Sequence, residues 1–253
     1  MAIRGRASVL SEEDWERVFN AILKNRHPEK NTAIMKLSKH LGLKAQEIVA
    51  IRINDIAILE GNDGLNKRAL TLRKELRIAP RATPENRSRS KYTRKSLTFT
   101  ISEFNATIEN VVSLVKSDIT VDPTDFYPAV KKKSSTPRLL PLSEISLVRA
   151  LNIYLKQRLA SSPFLKNTDP LFVSQKGGAY SPNTLQEHMA LILKDWAGIS
   201  KATSNSGRRG LVTNVLETHG VIVAQKVAGN RSLSSVAISY NDANKSNSKK
   251  IKK

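Results

Sequence analysis

Ser206-Gly207-Arg208-Arg209-Gly210-Leu211-Val212-Thr213 decides the reading of this chain: two adjacent arginines, set between glycines, where an apolar helical pattern begins. The periodicity predicts helices over roughly 208–218 and 221–228. Toward the C-terminus follow Val227-Ala228-Gly229-Asn230-Arg231-Ser232 and then Tyr240, placed on a last helical segment. Residues 244–253 are polar, lysine-rich and without periodicity, the pattern of a tail that is disordered without a partner.

Toward the N-terminus, Ser181-Pro182 opens a helix expected over 182–196, and Ser143-Glu144 opens another over 143–160. Phe126–Val130 and Pro137–Leu142 read as two extended arms around Lys131-Lys132-Lys133. Phe104, Ile108, Val111, Val112, Leu114 and Val115 fit an amphipathic helix over 104–118. Before it, residues 73–95 carry Arg73, Lys74, Arg77, Arg81, Arg87, Arg89, Lys91, Arg94 and Lys95 against Glu75 and Glu85, with Pro80 and Pro84 interrupting any helix. That is the composition of an exposed basic loop, and so dense a run of cations favours contact with a polyanion.

The N-terminal quarter reads as three helices. Ser11-Glu12-Glu13-Asp14 is a capping-box signature ahead of Trp15, Val18, Phe19, Ile22 and Leu23. A second helix spans about 31–40, Gly42 suits a left-handed helix end, and a third covers 45–51. An extended segment follows through Leu59, then a turn at Asn62-Asp63-Gly64 and a strand over 69–72. The class is mainly α with a small antiparallel sheet or hairpin.

Charge names the partner class: 42 Lys+Arg against 22 Asp+Glu leave a formal net charge of +20 over 253 residues, an electrostatic footprint for phosphate. The chain has no cysteine, which removes disulfides, thiol nucleophiles and cysteine zinc sites. His27, His40, His188 and His219 lack metal-ligand spacing, so no metal is expected and each histidine reads as a surface or packing residue. No apolar run reaches the ~20 residues of a membrane span, and Met1–Arg6 lacks a signal-peptide core. These features lead us to expect a soluble, cytoplasmic, nucleoid-associated protein, or one at host DNA.

Three segments, Leu171-Phe172-Val173-Ser174-Gln175-Lys176-Gly177-Gly178, Ser181-Pro182-Asn183-Thr184-Leu185 and the double-arginine stretch, resemble the C-terminal half of tyrosine recombinases, also called phage integrases. The resemblance covers most of residues 8–60 and 126–245. It implies a recombinase catalytic-domain-like fold over 8–243 with a basic insertion at about 73–125, a double-stranded DNA partner, self-association on DNA, and no cofactor. It further implies that Arg208 grips the scissile phosphate and that Tyr240 attacks its phosphorus to form a 3′-phosphotyrosyl bond. The resemblance also implies that a lysine of the hairpin protonates the leaving 5′ oxygen; Lys133 matches best, with Lys131 and Lys132 adjacent in register, and the alternative is that all three bind backbone phosphate.

The set departs from the family pattern. The partner arginine, usually in Gly-Leu-Arg, is Lys44 of Gly42-Leu43-Lys44, which keeps the charge but loses the fork. Asn205 replaces the histidine three residues before Arg208, and either Asn230 or Arg231 stands at the second missing histidine. The asparagines can hydrogen-bond a phosphate but cannot relay a proton near neutral pH. The interval from Ala228-Gly229-Asn230 to Tyr240 is one residue longer than the pattern, and one residue turns a helix by about 100°. Arg209, Lys131, Lys132, Arg87, Arg89, Lys91, Arg94 and Lys95 are the expected DNA contacts. Two readings stay open: a recombinase that cleaves and rejoins DNA, and a DNA-binding regulator or architectural protein on that scaffold without catalysis.

Overall fold

The computed structural model describes residues 7–61, 68–78, 101–117, 120, 138–162 and 164–228. The chain divides into a unit formed by Met1–Ala79 with Pro137–Lys253 and a unit formed by Pro80–Thr136.

The first unit is helical around α2 (Pro28–Leu41), which packs against both α6 (Ile145–Ala160) and α8 (Ser206–Ala228). Contact on two sides explains why Ala33, Ile34, Met35, Leu37, Ser38 and Leu41 are all buried although they do not form a single stripe. α1 (Glu12–Leu23) is more conventional: Trp15, Val18 and Ile22 face inward. Its capping box closes as the sequence predicts, with Asp14 N–H donating to Ser11 Oγ at 3.1 Å and Ser11 N–H to Asp14 Oδ2 at 3.1 Å. α2 begins with Pro28 in its first turn and ends at Gly42, whose φ of 60° is the left-handed conformation expected there.

α3 (Ala45–Ala50) is followed by a helical turn, α4 (Ile53–Ile56), where the sequence suggested extended chain; Asp55 Oδ2 accepts the Arg52 N–H at 2.9 Å and caps that turn. Two antiparallel pairs complete the unit. β1 (Ala57–Glu60) pairs with β2 (Ala69–Leu72), in register Ala57 to Leu72. β3 (Glu75–Ile78) pairs with β4 (Arg138–Pro141), placing Leu76 opposite Leu140. Both leucines are buried, so one inward cross-strand pair anchors a ribbon that also carries Glu75, Arg77 and Arg138. β3 corrects the loop expected from residue 73 onward: alternation hides one buried leucine among exposed Glu75 and Arg77.

β4 forms where an extended arm was expected, and its described partner is β3. The second arm, Phe126–Val130, and the Asn62-Asp63-Gly64 turn lie outside the described residues. α7 (Pro182–Leu191) has the expected Ser181 cap, Thr184 N–H donating to Ser181 Oγ at 3.1 Å. It continues as a π-helical turn at Ile192–Trp196. α8 starts two residues earlier than the periodicity suggests and is interrupted at Gly220 (φ 79°, ψ 176°), between the two helices expected.

The described part of the second unit is one helix, α5 (Ile101–Lys116). It begins three residues before the predicted start. Ile101, Phe104, Ile108, Val112 and Val115 are exposed along it. No described helix is long and apolar enough to cross a membrane.

Candidate functional site

The site assembles where the end of α2, the start of α3, strand β4 and both ends of α8 meet. Gly42 turns the chain out of α2, Leu43 enters the core, and Lys44 becomes the exposed N-cap of α3. Glu47, three residues on, accepts the Lys44 backbone N–H on Oε2 at 2.8 Å, satisfying a donor that the helix start leaves open. That cap fixes the Glu47 carboxylate at the centre of the site.

α8 is seated against α2 at Gly207. A Cβ there would lie 2.6 Å from Ser38 Oγ and 2.7 Å from both the carbonyl carbon and oxygen of Ser38, so no residue with a side chain fits unless a helix moves. Gly42 is similarly restricted: its φ disfavours a side chain, and a Cβ would approach Leu211 to 2.9 Å. These contacts place Arg208, the next residue of α8, beneath the α2 turn with its side chain 10% exposed.

Arg208 Nη1 donates to the carbonyl of Gly42 at 3.0 Å and lies 3.8 Å from Glu47 Oε2, while Nη2 donates to the carbonyl of Ala228. Arg138, reaching in from β4, donates through Nη2 to Glu47 Oε1 and through Nη1 to the carbonyl of Val227 at 2.9 Å. One carboxylate therefore holds two guanidinium groups, and both also cap successive carbonyls at the C-terminal end of α8. Cations are favoured at the carbonyl end of a helix dipole. Burial lowers the Arg208 pKa; Glu47 opposes the shift and the neighbouring Arg138 adds to it. An arginine starts so far above neutrality that Arg208 remains charged at pH 7.

The gathered donors are N–H groups on cations, which suits an anion with several oxygens. Among the expected site residues, Lys44 and Arg208 come together here. Asn205 is exposed on the turn before α8, and its carbonyl accepts the Arg209 N–H at 2.9 Å. Arg209 turns elsewhere: its Nη1 donates to the carbonyl of Ala7 at 2.7 Å, tying the N-terminal segment to α8. Tyr240, Asn230, Arg231, Lys131, Lys132, Lys133, Arg87, Arg89, Lys91, Arg94 and Lys95 lie outside the described residues.

Sequence reasoning missed Glu47 and the contacts of Arg138. Glu47 has one local signal, a carboxylate at the N3 position of a short helix, but nothing local says that it faces two arginines.

Two histidines read as surface or packing residues prove to be partly buried. His188 Nε2 is 2.8 Å from Asn31 Oδ1, and its ring stacks on Tyr180 and meets Trp196 edge-on. His40 Nε2 is 3.4 Å from Ser146 Oγ, which also accepts from Lys36 Nζ at 2.9 Å. Burial, with Lys36 and Lys39 nearby, pushes the His40 pKa down to about 4. Next to β3 and β4, an open groove of about 490 Å³ is lined by Arg73, Lys74 and Arg77 together with Asp55 and Glu75.

No family model matches the chain. Among solved structures it is similar to the XerA recombinase, at 18% identity, a TM-score of 0.56, and coverage of 93% of this chain and 61% of that one. It is also similar to the Tn1549 transposon integrase in complex with transposon right end DNA, at 13% identity and a TM-score of 0.56, covering 98% and 67%. A lambda integrase dimer bound to a core site matches at 12% identity and a TM-score of 0.52, covering 93% and 48%. The chain thus has the tyrosine recombinase fold, mainly helical with small antiparallel pairs, and spans about half to two thirds of the length of these proteins.

Proposed function

We propose that this protein binds double-stranded DNA and breaks and rejoins it through a 3′-phosphotyrosyl intermediate, in site-specific recombination or integration. The observation that carries the reading is the cluster of Arg208, Glu47 and Arg138, a partly buried cationic site with many donors, in a chain of net charge +20 with the recombinase fold.

In this reading the Tyr240 phenol oxygen attacks the scissile phosphorus, the bond from phosphorus to the 5′ oxygen breaks, and a hairpin lysine, Lys133 or a neighbour, gives the leaving oxygen its proton. The energy of the broken bond is kept in the tyrosyl ester, so rejoining by the reverse attack needs neither a metal nor a nucleotide. Charge that develops on the nonbridging oxygens is met by fixed guanidinium donors. Lys44 and, when extended toward the phosphate, Asn205 add donors, while Asn230 or Arg231 takes the second histidine position. Self-association of two or more copies on DNA follows from the need to exchange strands between sites, and the protein acts wherever that DNA is held.

A second reading has an observation of its own. Arg208 is committed to the chain's own carbonyls, and Lys44 stands where a forked donor would serve the chemistry better; both fit a DNA-binding protein without catalysis. A nicked suicide substrate separates the two. A covalent protein–DNA adduct that forms with the natural chain and is lost in Tyr240→Phe supports strand cleavage. Tight binding of the same DNA with no adduct leaves recognition alone, and absence of both overturns the proposal.

A further inference from the structure

The site described above contains a guanidinium pair assembled from two separate elements. Arg138 enters from β4 and Arg208 from α8; each has one nitrogen near Glu47 and another on the end of α8, and Arg208 Nη1 also donates to the carbonyl of Gly42 at 3.0 Å. One side of each group faces the shared Glu47 carboxylate: Arg138 Nη2 donates to Oε1, and Arg208 Nη1 is 3.8 Å from Oε2. The other side of each faces the end of α8, where Arg138 Nη1 meets the carbonyl of Val227 and Arg208 Nη2 that of Ala228. The carbonyl oxygens of two successive residues are thus each held by one nitrogen of a separate guanidinium. Two nonbridging oxygens on one phosphorus present a comparable demand.

Lys44 cannot meet that demand, because an ammonium is a compact point charge without the planar fork that matches two oxygens at once. Arg138 can, and its side chain is 16% exposed, open enough to exchange partners but dry enough for its charge to count. Glu47 prevents the two cations from repelling each other apart while no anion is present.

We propose that Arg138 is the second phosphate-gripping guanidinium of this site, taking with Arg208 the role that Lys44 cannot fill, and that the carbonyls of Val227 and Ala228 occupy the phosphate's place until DNA binds. The inference rests on the proposed DNA reading. It assigns Arg138 direct contact with substrate, beyond bracing Glu47.

The test uses the full-length protein with Arg138→Gln, Arg138→Lys and Arg208→Gln. Binding to a duplex is measured across a salt series, and adduct formation on the nicked substrate is timed. Removing one phosphate contact should lower the magnitude of the salt slope by about 0.9 and weaken binding roughly tenfold to a hundredfold, so Arg138→Gln should match Arg208→Gln in both. Arg138→Lys should keep the slope, because it keeps the charge, yet slow adduct formation by about 10² to 10³ through loss of the fork. A bracing residue would lower thermal stability in both Arg138 variants with slope and adduct rate unchanged, and that result overturns the assignment. Should Arg138→Gln fail to fold, the Lys variant decides alone: an adduct rate equal to the natural chain's refutes the fork.

A natural chain that binds DNA but forms no adduct loses only the cleavage reading, since the slope still judges Arg138. A natural chain that does not bind DNA ends both readings together.

Discussion

Replacing Gly207 with alanine tests the most demanding contact in the structure. The new Cβ would sit 2.6 to 2.7 Å from three atoms of Ser38, two of them backbone, in the last turn of α2, where Ser38 is buried. Ordinary carbon contacts lie at about 3.5 to 4.0 Å, so the helices must separate by roughly 1 Å. Inserting a methyl group into a packed interior costs typically 1 to 3 kcal/mol, and rigid backbone on the opposing side argues for the upper half of that range. Alanine's helix preference over glycine returns at most about 1 kcal/mol. The net is a loss of about 1 to 2 kcal/mol, or roughly 2 to 8 °C in melting temperature for a domain of this size.

Gly210→Ala supplies the contrast within the same helix. Its Cβ would meet only Val9, at 3.9 Å, an ordinary contact, so the propensity gain stands and stability should rise by about 0.4 to 1 kcal/mol. Urea melts of the two variants, read side by side, give opposite signs. The same 1 Å movement displaces Arg208, and misplacement of that size can cost about 10²-fold in rate. If Gly207→Ala melts at or above the natural chain, α8 does not approach α2 as closely as described, and the account of how Arg208 is positioned fails with it.

Glu47→Gln leaves Arg138 and Arg208 facing each other without a carboxylate; urea melts should show a loss of about 1 to 3 kcal/mol, partly recovered on adding duplex DNA. His40 is held neutral in the fold, its pKa about 4 against an ordinary 6.5, and burial shifts His188 in the same direction. The unfolded chain therefore binds more protons between those values, so stability is full above pH 6.5 and declines as pH falls toward 4; His40→Gln should flatten that decline in melts at pH 7 and pH 5. Alanine at Arg87, Arg89, Arg94 and Lys95 together should weaken DNA binding and reduce its salt slope by up to about 3 to 4, and an unchanged slope removes the basic insertion from the interface.

Much of the fold could be read in advance because its signals are local. The Ser11 capping box, the left-handed Gly42, the Ser181-Pro182 helix start and the interruption at Gly220 each follow from the preferences of a few neighbouring residues. β3 escaped because charge density was taken for exposure, whereas a strand turns alternate side chains outward and needs only Leu76 to be buried. The site was half legible. Arg208 announces itself between glycines, and Gly207 beside it supplies a reason for the motif: the position admits nothing larger. Glu47 and Arg138 stand 91 residues apart, and their meeting depends on how β4 is laid beside α3, which no short window of sequence contains.

The helix end held by Arg138 and Arg208 has a thermodynamic corollary. On the proposed assignment, the last carbonyls of α8 and an incoming phosphate draw on the same donors, so each competes with the other. Linkage makes such competition reciprocal: whatever factor the helix end subtracts from phosphate affinity, bound phosphate subtracts from the hold on that end. Ligand affinity and C-terminal anchoring are then two readings of a single equilibrium, and a change that loosens α8 near Val227 should tighten the grip on DNA without touching it.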